Sequence, residues 1–204
     1  MPPAPNPSIA GLILAGGLSS RMGGGIKGLR PLAGRPMIAH VIDRIAPQLG
    51  PLAVNANGPG CEGLGLPVLA DPVPDFPGPL AGLLAGLIWA AELPGVAHLL
   101  TVPSDAPFLP ADLADRLAEA AAPGRPVLAC DASGVQPVVG LWPVTLAPAL
   151  ADWLTAGRPR KVMTWAEAQG ARLCRFEPPE AGPPPFFNVN TPEDLAQAEV
   201  WAAR

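Results

Sequence analysis

Ile9-Ala10-Gly11-Leu12-Ile13-Leu14 runs without a polar residue into Ala15-Gly16-Gly17-Leu18-Ser19-Ser20-Arg21-Met22-Gly23-Gly24-Gly25-Ile26-Lys27. A short apolar run closed by glycines reads as a strand buried on both faces. The glycines after it let the backbone come close to a ligand, and exposed N–H groups in such a loop can form an anion nest. Arg21 and Lys27 add fixed positive charge, Arg as a two-point clamp on phosphate oxygens and Lys as a point charge. The segment reads as a phosphate cradle. It has neither the GxxxxGK[ST] order of a P-loop nor the GxGxxG of a dinucleotide fold. Glycines alone would equally suit a mobile loop with two solvated cations.

Outward from this segment the pattern alternates. Pro36 opens a helix, with Met37, Ile38, Val41, Ile42 and Ile45 on one face and His40, Asp43 and Arg44 on the other, stopped by Gly50-Pro51. His40 is expected to be solvated and His98 structural. Strands are predicted over 52–56, 66–70, 97–102, 126–130, 135–141, 171–176 and 186–189. Helices are predicted over 80–92, 111–122, 144–155 and 160–169. Thr191-Pro192-Glu193-Asp194 starts a last helix, with Thr191 as cap, Pro192 in the first turn and two acids at the positive end of the dipole. Alternation of this kind predicts a three-layer α/β fold, a mostly parallel central sheet with helices on both faces. Ligands bind such sheets beyond the carboxyl ends of the strands.

The length of 204 residues fits one domain, with residues 1–8 as a flexible N-terminal extension. Hydrophobic residues make up 49% and charged residues 15%, a globular balance. The 23 Gly and 30 Pro would hint at disorder, but they sit between apolar runs as punctuation. A net charge of −4 without a basic stripe argues against a nucleic-acid partner. Cys61, Cys130 and Cys174 are far apart and odd in number, which argues against a disulfide framework or a zinc site. No apolar run reaches the roughly 18 residues of a membrane span. Residues 1–8 lack a charged segment and a cleavage motif. The reading is a soluble, cytoplasmic protein.

The run LAGG–xxx–RMGG–xx–K, continued by Leu32-Ala33-Gly34-Arg35-Pro36-Met37, resembles the molybdenum cofactor guanylyltransferase (MobA) family. The likeness continues through Val54-Asn55-Ala56-Asn57, Asp71, Phe76-Pro77-Gly78-Pro79-Leu80-Ala81-Gly82 and Val102-Pro103-Ser104-Asp105-Ala106-Pro107-Phe108. It resumes at Gln136-Pro137-Val138-Val139-Gly140-Leu141-Trp142-Pro143 and closes with Phe187-Asn188-Val189-Asn190-Thr191-Pro192-Glu193-Asp194-Leu195. The resemblance implies a Rossmann-like nucleotidyltransferase fold. It also implies transfer of GMP from GTP to the phosphate of molybdenum-molybdopterin, with Mg²⁺ as cofactor and molybdoenzymes or their chaperones as further partners.

By the same resemblance Leu14, Ala15, Gly16, Gly17, Lys27, Asn55, Asp71 and Asp105 form the GTP site, and Arg21, Lys27 and Asp105 carry the chemistry. Asp105, just after a strand, is implied as the Mg²⁺ ligand. An Asp carboxylate can accept from both N1–H and N2–H₂ of guanine, and an Asn amide can pair with base or ribose. Whether Asn55 or Asp71 reads the base stays open. Asn188 and Asn190 flank Val189 and point one way if the segment is extended. The resemblance sets them near pterin or metal. Arg158, Arg160 and Lys161 form a basic cluster that could meet the pterin phosphate or simply be solvated. One departure is Ile26, where the family commonly has Asp. Two alternatives therefore stay open: a nucleotidyltransferase for another nucleotide or phosphorylated acceptor, and a GTP-binding module that has lost catalysis.

Overall fold

In the computed structural model, residues 5–16, 26–73 and 78–203 are described. The opening strand β1 is Ile9–Leu14, as the apolar run predicts. The next elements are the two-residue strands β2 (Pro31–Leu32) and β3 (Arg35–Pro36), helix α1 (Met37–Ile45), and strands β4 (Leu52–Asn55) and β5 (Val68–Leu69). After α2 (Pro79–Ala91) come β6 (His98–Pro103), α3 (Leu113–Glu119), β7 (Val127–Asp131) and β8 (Gly134–Pro143). The chain finishes with α4 (Ala147–Thr155), α5 (Val162–Ala168), β9 (Arg172–Arg175) and α6 (Pro192–Ala202).

Seven strands form one sheet in the order β5-β4-β1-β6-β8-β7-β9. β8 alone runs against its neighbours, because it returns directly from β7 through a tight turn at Ala132-Ser133. The others are parallel, each reached through a crossover. Parallel strands must be covered on both faces, and two apolar clusters do this. On one face Ile38, Val41 and Ile45 of α1 and Leu113 and Leu117 of α3 pack on Ile9, Ile13, Val54, Leu100 and Val102. On the other, α2, α4 and α5 pack on Leu12, Ala53, Leu99 and Trp142. Neighbouring residues of β1 feed opposite clusters, Leu12 one and Ile13 the other, as the period of two requires. The expected three-layer, mostly parallel α/β architecture is what the chain adopts.

Close approach explains a glycine of α2. A Cβ at Gly86 would lie 2.5 Å from Leu12 Cδ2 and 2.8 Å from Leu99 Cδ2, so only glycine lets the helix lie this near the sheet.

Several expectations change. The strand predicted over 186–189 is a turn followed by irregular backbone. The N–H of Val189 goes to the carbonyl of Asp105 at 2.9 Å instead of to a ladder. Its side chain is buried with Leu32, Met37 and Ala198, where α6 meets β2. His40 is half-buried and bonded to the backbone where a solvated side chain is expected. The β2–β3 hairpin folds back over α1, and His40 Nε2 lies 2.8 Å from the carbonyl oxygen of Leu32. The tight turn of that hairpin, Ala33-Gly34, has φ of 49° and 76°, the left-handed pair a two-residue hairpin needs. The N-terminal segment is tied down from Asn6, whose N–H donates to Gln48 O at 3.1 Å. Ser8 O accepts from Ala97 N at 2.9 Å.

His98 begins β6 half-buried, and burial pushes its imidazole below the ordinary value of 6.5. The fold therefore favours neutral His98, while the unfolded chain binds the extra proton in mildly acid solution. This contribution to stability is complete above pH 6.5 and is lost as the pH falls below it. The drop in Tm between about pH 7.5 and pH 5.5 is expected to be smaller in His98→Gln than in the unsubstituted protein. Equal drops would clear His98 of any part in it.

Candidate active site

Register places the site. Leu14 pairs with both Asn55 and Pro103, and Asn55 pairs with Leu69, so β5, β4, β1 and β6 end level with one another. Whatever follows each strand emerges at the same edge: Asp71, Asn57, Ala15-Gly16 and Ser104-Asp105. Backbone bonds hold the exits together. Ala15 N donates to Asn55 O at 2.9 Å, and Ser104 N donates to Leu14 O at 3.1 Å.

One polar group forms around Lys27. Its Nζ donates to Asp105 Oδ2 at 2.8 Å and to Asn190 Oδ1 at 2.6 Å. The side chains of Lys27 and Asp105 are 19% and 17% exposed, so water screens this ion pair less than a surface one. Lys27 starts a turn of 3-10 helix, Lys27–Leu29, that lies against Ser104. A Cβ at Gly28 would sit 2.7 Å from Ser104 Cβ and 3.1 Å from its carbonyl oxygen, so a side chain there would push Lys27 away from Asp105. Asp105 is held from the other side by the Val189 N–H. Asn190 is set by the start of α6. There Thr191 Oγ1 accepts from Asp194 N at 3.1 Å, and Asp194 Oδ2 accepts from the N–H groups of Thr191 and Asn190, both at 2.9 Å. The cap anticipated at Thr191 is here a full capping box, and it also orients Asn190.

The second group surrounds Asp71. Buried Asn55 spends both amide hydrogens, one on Leu69 O at 3.0 Å and one on Asp71 Oδ1 at 2.8 Å. Asn57 Nδ2 donates to Asp71 Oδ2 at 2.6 Å, and Asp71 N donates to Asn57 Oδ1 at 2.8 Å. Leu14, Ala15 and Gly16 lie between the two groups. The Asn55 side chain rests on α2, where a Cβ at Gly82 would lie 2.7 Å from Asn55 Cγ and 2.9 Å from Leu14 Cδ2. In an ordinary helix interior Gly→Ala stabilises by about 1 kcal/mol. Here overpacking of roughly 1–3 kcal/mol wins, so Gly82→Ala is expected to lower Tm and nucleotide affinity together. A raised Tm in thermal denaturation would show that the contact yields.

Of the residues expected in the site, Leu14, Ala15, Gly16, Lys27, Asn55, Asp71, Asp105 and Asn190 converge on this edge. Gly17 and Arg21 lie outside the described residues. Asn188 enters through its carbonyl, which accepts from Asn190 Nδ2 at 3.4 Å. Arg158 stacks on Trp153, its Cζ 4.9 Å from the ring centre. Ile26 packs its half-buried side chain against the apolar cluster of the α1 face. Gly28, Gly82 and Asn57 were missed as contributors. The first two can be seen only in tertiary packing, and Asn57 reads locally as a turn residue.

For a metal, Asp105 Oδ2 and Asn190 Oδ1 are two hard oxygens already converging on one cationic nitrogen. Such a donor set suits a hard divalent cation that takes its remaining ligands from water and phosphate. Among the described residues no group of three or more His, Cys, Asp or Glu side chains could hold a metal.

Residues 11–172 match the model of the MobA-like NTP transferase domain. A molybdenum cofactor guanylyltransferase of Rhodopseudomonas palustris (strain BisB5) is 48% identical over 209 residues, covering 100% of this chain and 99% of that protein. The chain belongs to the molybdenum cofactor guanylyltransferase (MobA) family. A second family member, from Cereibacter sphaeroides, is 49% identical over 191 residues, covering 93% of this chain and 94% of its own. The fold has the same relation to solved structures. Molybdopterin-guanine dinucleotide biosynthesis protein A from Archaeoglobus fulgidus superposes with a TM-score of 0.71 at 20% identity, covering 95% of this chain and 98% of that one. At that identity the likeness shows the Rossmann-like nucleotidyltransferase fold alone. Among the described residues no helix is long and apolar enough to cross a membrane.

Proposed function

We propose that this chain transfers GMP from GTP to the phosphate of molybdenum-molybdopterin, releasing pyrophosphate and forming the guanine dinucleotide of the cofactor. The observation that carries this reading is the Lys27–Asp105–Asn190 group at the carboxyl edge of the sheet, in a chain with full-length relatives of that name. GTP lies across Leu14, Ala15, Gly16 and Gly17. Its base is at Asp71, behind which Asn55 acts as a support, since both hydrogens of the Asn55 amide are already committed. Its phosphates face Lys27 and Arg21. Asp105 is the ligand for Mg²⁺, with Asn190 beside it and Asn188 on the pterin side.

The acceptor phosphate monoester is the nucleophile and is largely ionised at neutral pH, so no general base is needed. One of its oxygens bonds to the α-phosphorus of GTP, and the bond from that phosphorus to the bridging oxygen of the β-phosphate breaks. The electron pair leaves with pyrophosphate. Mg²⁺, when bound, supplies charge neutralisation on phosphate oxygens. Lys27 and Arg21 oppose the negative charge that grows on the transferred group, and the Gly-rich segment holds the triphosphate in line. The free thiols of Cys61, Cys130 and Cys174 suit a reducing compartment, and we place the enzyme in the cytoplasm.

The test uses GTP labelled at the α-phosphate with molybdenum-molybdopterin and Mg²⁺. Label is expected in a pterin dinucleotide, with equimolar pyrophosphate and no transfer from ATP or CTP. Transfer from CTP would make the chain a different nucleotidyltransferase. GTP binding without pyrophosphate release would make it a non-catalytic module.

A further inference from the structure

Asn57 has no assigned part in the chemistry, yet it makes the shortest contact to Asp71. The geometry points to Asn57 as a positioning residue for base selection, acting through Asp71; the inference rests on Asp71 reading guanine, as proposed above. The Asn57 side chain closes a ring with the carboxylate and backbone N–H of Asp71. The Asn57 amide nitrogen donates to Asp71 Oδ2 at 2.6 Å, and its carbonyl oxygen accepts the Asp71 backbone N–H at 2.8 Å. Opposite polarities at the two ends fix which way the Asn57 amide faces. Asn55 holds the other oxygen, Oδ1, at 2.8 Å from the direction of β4. Each Asp71 oxygen thus has its own amide donor, and rotation about the carboxylate would break both bonds at once.

This matters because a carboxylate has four lone-pair sites. The two amides use one on each oxygen and leave one on each oxygen free. Guanine presents N1–H and N2–H₂ side by side, which asks for two acceptors at a set spacing and in one plane. A carboxylate held in that plane beforehand loses no rotational freedom when the base arrives. Asn55 is buried by the sheet and α2, but Asn57 and the Asp71 ring are exposed, where water competes with such bonds. The pair therefore adds little to stability, and its consequence is the orientation of Asp71.

The experiment compares steady-state transfer to molybdenum-molybdopterin from GTP and from ITP, which lacks the 2-amino group. Asn57→Ala is expected to raise KM for GTP about three- to tenfold, the range for immobilising one side chain. It should leave kcat near its original value and shrink the preference for GTP over ITP by a similar factor. Tm should move by no more than about 2 °C. Asn57→Asp, which sets a second carboxylate against Asp71, should lose more of the preference than Asn57→Ala. In an Asp71→Ala background, Asn57→Ala should change the GTP/ITP ratio no further.

If Asp71→Ala abolishes the preference while Asn57→Ala keeps both KM and preference, the positioning role is overturned and the base assignment stands. If Asp71→Ala leaves the preference intact, the base assignment falls and this inference with it. A fall in kcat and Tm without a change in preference would make Asn57 merely structural and also overturn the proposal.

Discussion

Asp105→Ala is expected to lower kcat/KM for GMP transfer by roughly 10³-fold or more, and to remove the response of the residual rate to Mg²⁺. The size follows from what the carboxylate does in the proposed site. A bound divalent cation contributes several kcal/mol of charge stabilisation at a phosphoryl centre, and each 1.4 kcal/mol is tenfold in rate. The loss is large because little else can stand in. Among the described residues no cluster of carboxylates, histidines or cysteines offers a second set of ligands, and Ile26 puts a hydrocarbon where the family pattern has a further acid. The position is also rigid. The backbone at Ser104 and Asp105 is fixed on both sides, through Leu14 and Val189, so a neighbouring group cannot swing into the gap. Asp105→Asn keeps shape and hydrogen bonding without charge and should lose nearly as much. Steady-state rates across a Mg²⁺ titration check this, and an unchanged Mg²⁺ dependence in Asp105→Ala would detach the metal from this residue.

Lys27→Ala is expected to cut kcat by about 10²–10³, the range for removing one donor aimed at developing charge. Two effects compete. Removing Lys27 breaks an ion pair that is largely shielded from water and leaves Asp105 without its cationic partner, which costs stability in the folded protein. It also takes one positive charge from the transferred phosphoryl group at the moment the charge grows, and this second effect decides the outcome. Binding of GTP should weaken much less than turnover. In the free enzyme the ammonium is shared between Asp105 and Asn190, so gaining a phosphate partner means exchanging those bonds. Lys27→Arg should restore turnover only in part, because a planar fork does not replace a point charge between two oxygens. Single-turnover rates alongside GTP affinity make the check. A change of only a few-fold in the rate would remove Lys27 from the mechanism.

Much of the fold was legible because continuous apolar runs and helical faces coincide with real elements. β1 is the clearest case, an unbroken apolar run just before glycines. α1 follows, with Met37, Ile38, Val41 and Ile45 all buried. The β2–β3 hairpin was invisible because strands of two residues, each with a proline, carry no period. The 186–189 segment misled for the opposite reason. Its apolar residues suggest a strand, but they serve the contact with α6 and one bond to Asp105. In the site, Lys27, Asp105 and Asn190 were each recognisable by motif. Their contact was not, since it joins residues 78 and 163 positions apart and depends on strand register. The cage around Asp71 was hidden similarly, because Asn57 and Asp71 each look like a turn former until β4 and β5 are set side by side.

A single nucleotide is expected to span the two polar groups at this edge of the sheet. A crystal structure with GTP, Mg²⁺ and a non-reacting acceptor analogue tests it most directly. Guanine is expected against Asp71, the metal on Asp105, and the Lys27 ammonium on phosphate oxygen. A triphosphate bound elsewhere, with the Lys27–Asp105 and Asn57–Asp71 contacts left as they are, would contradict it.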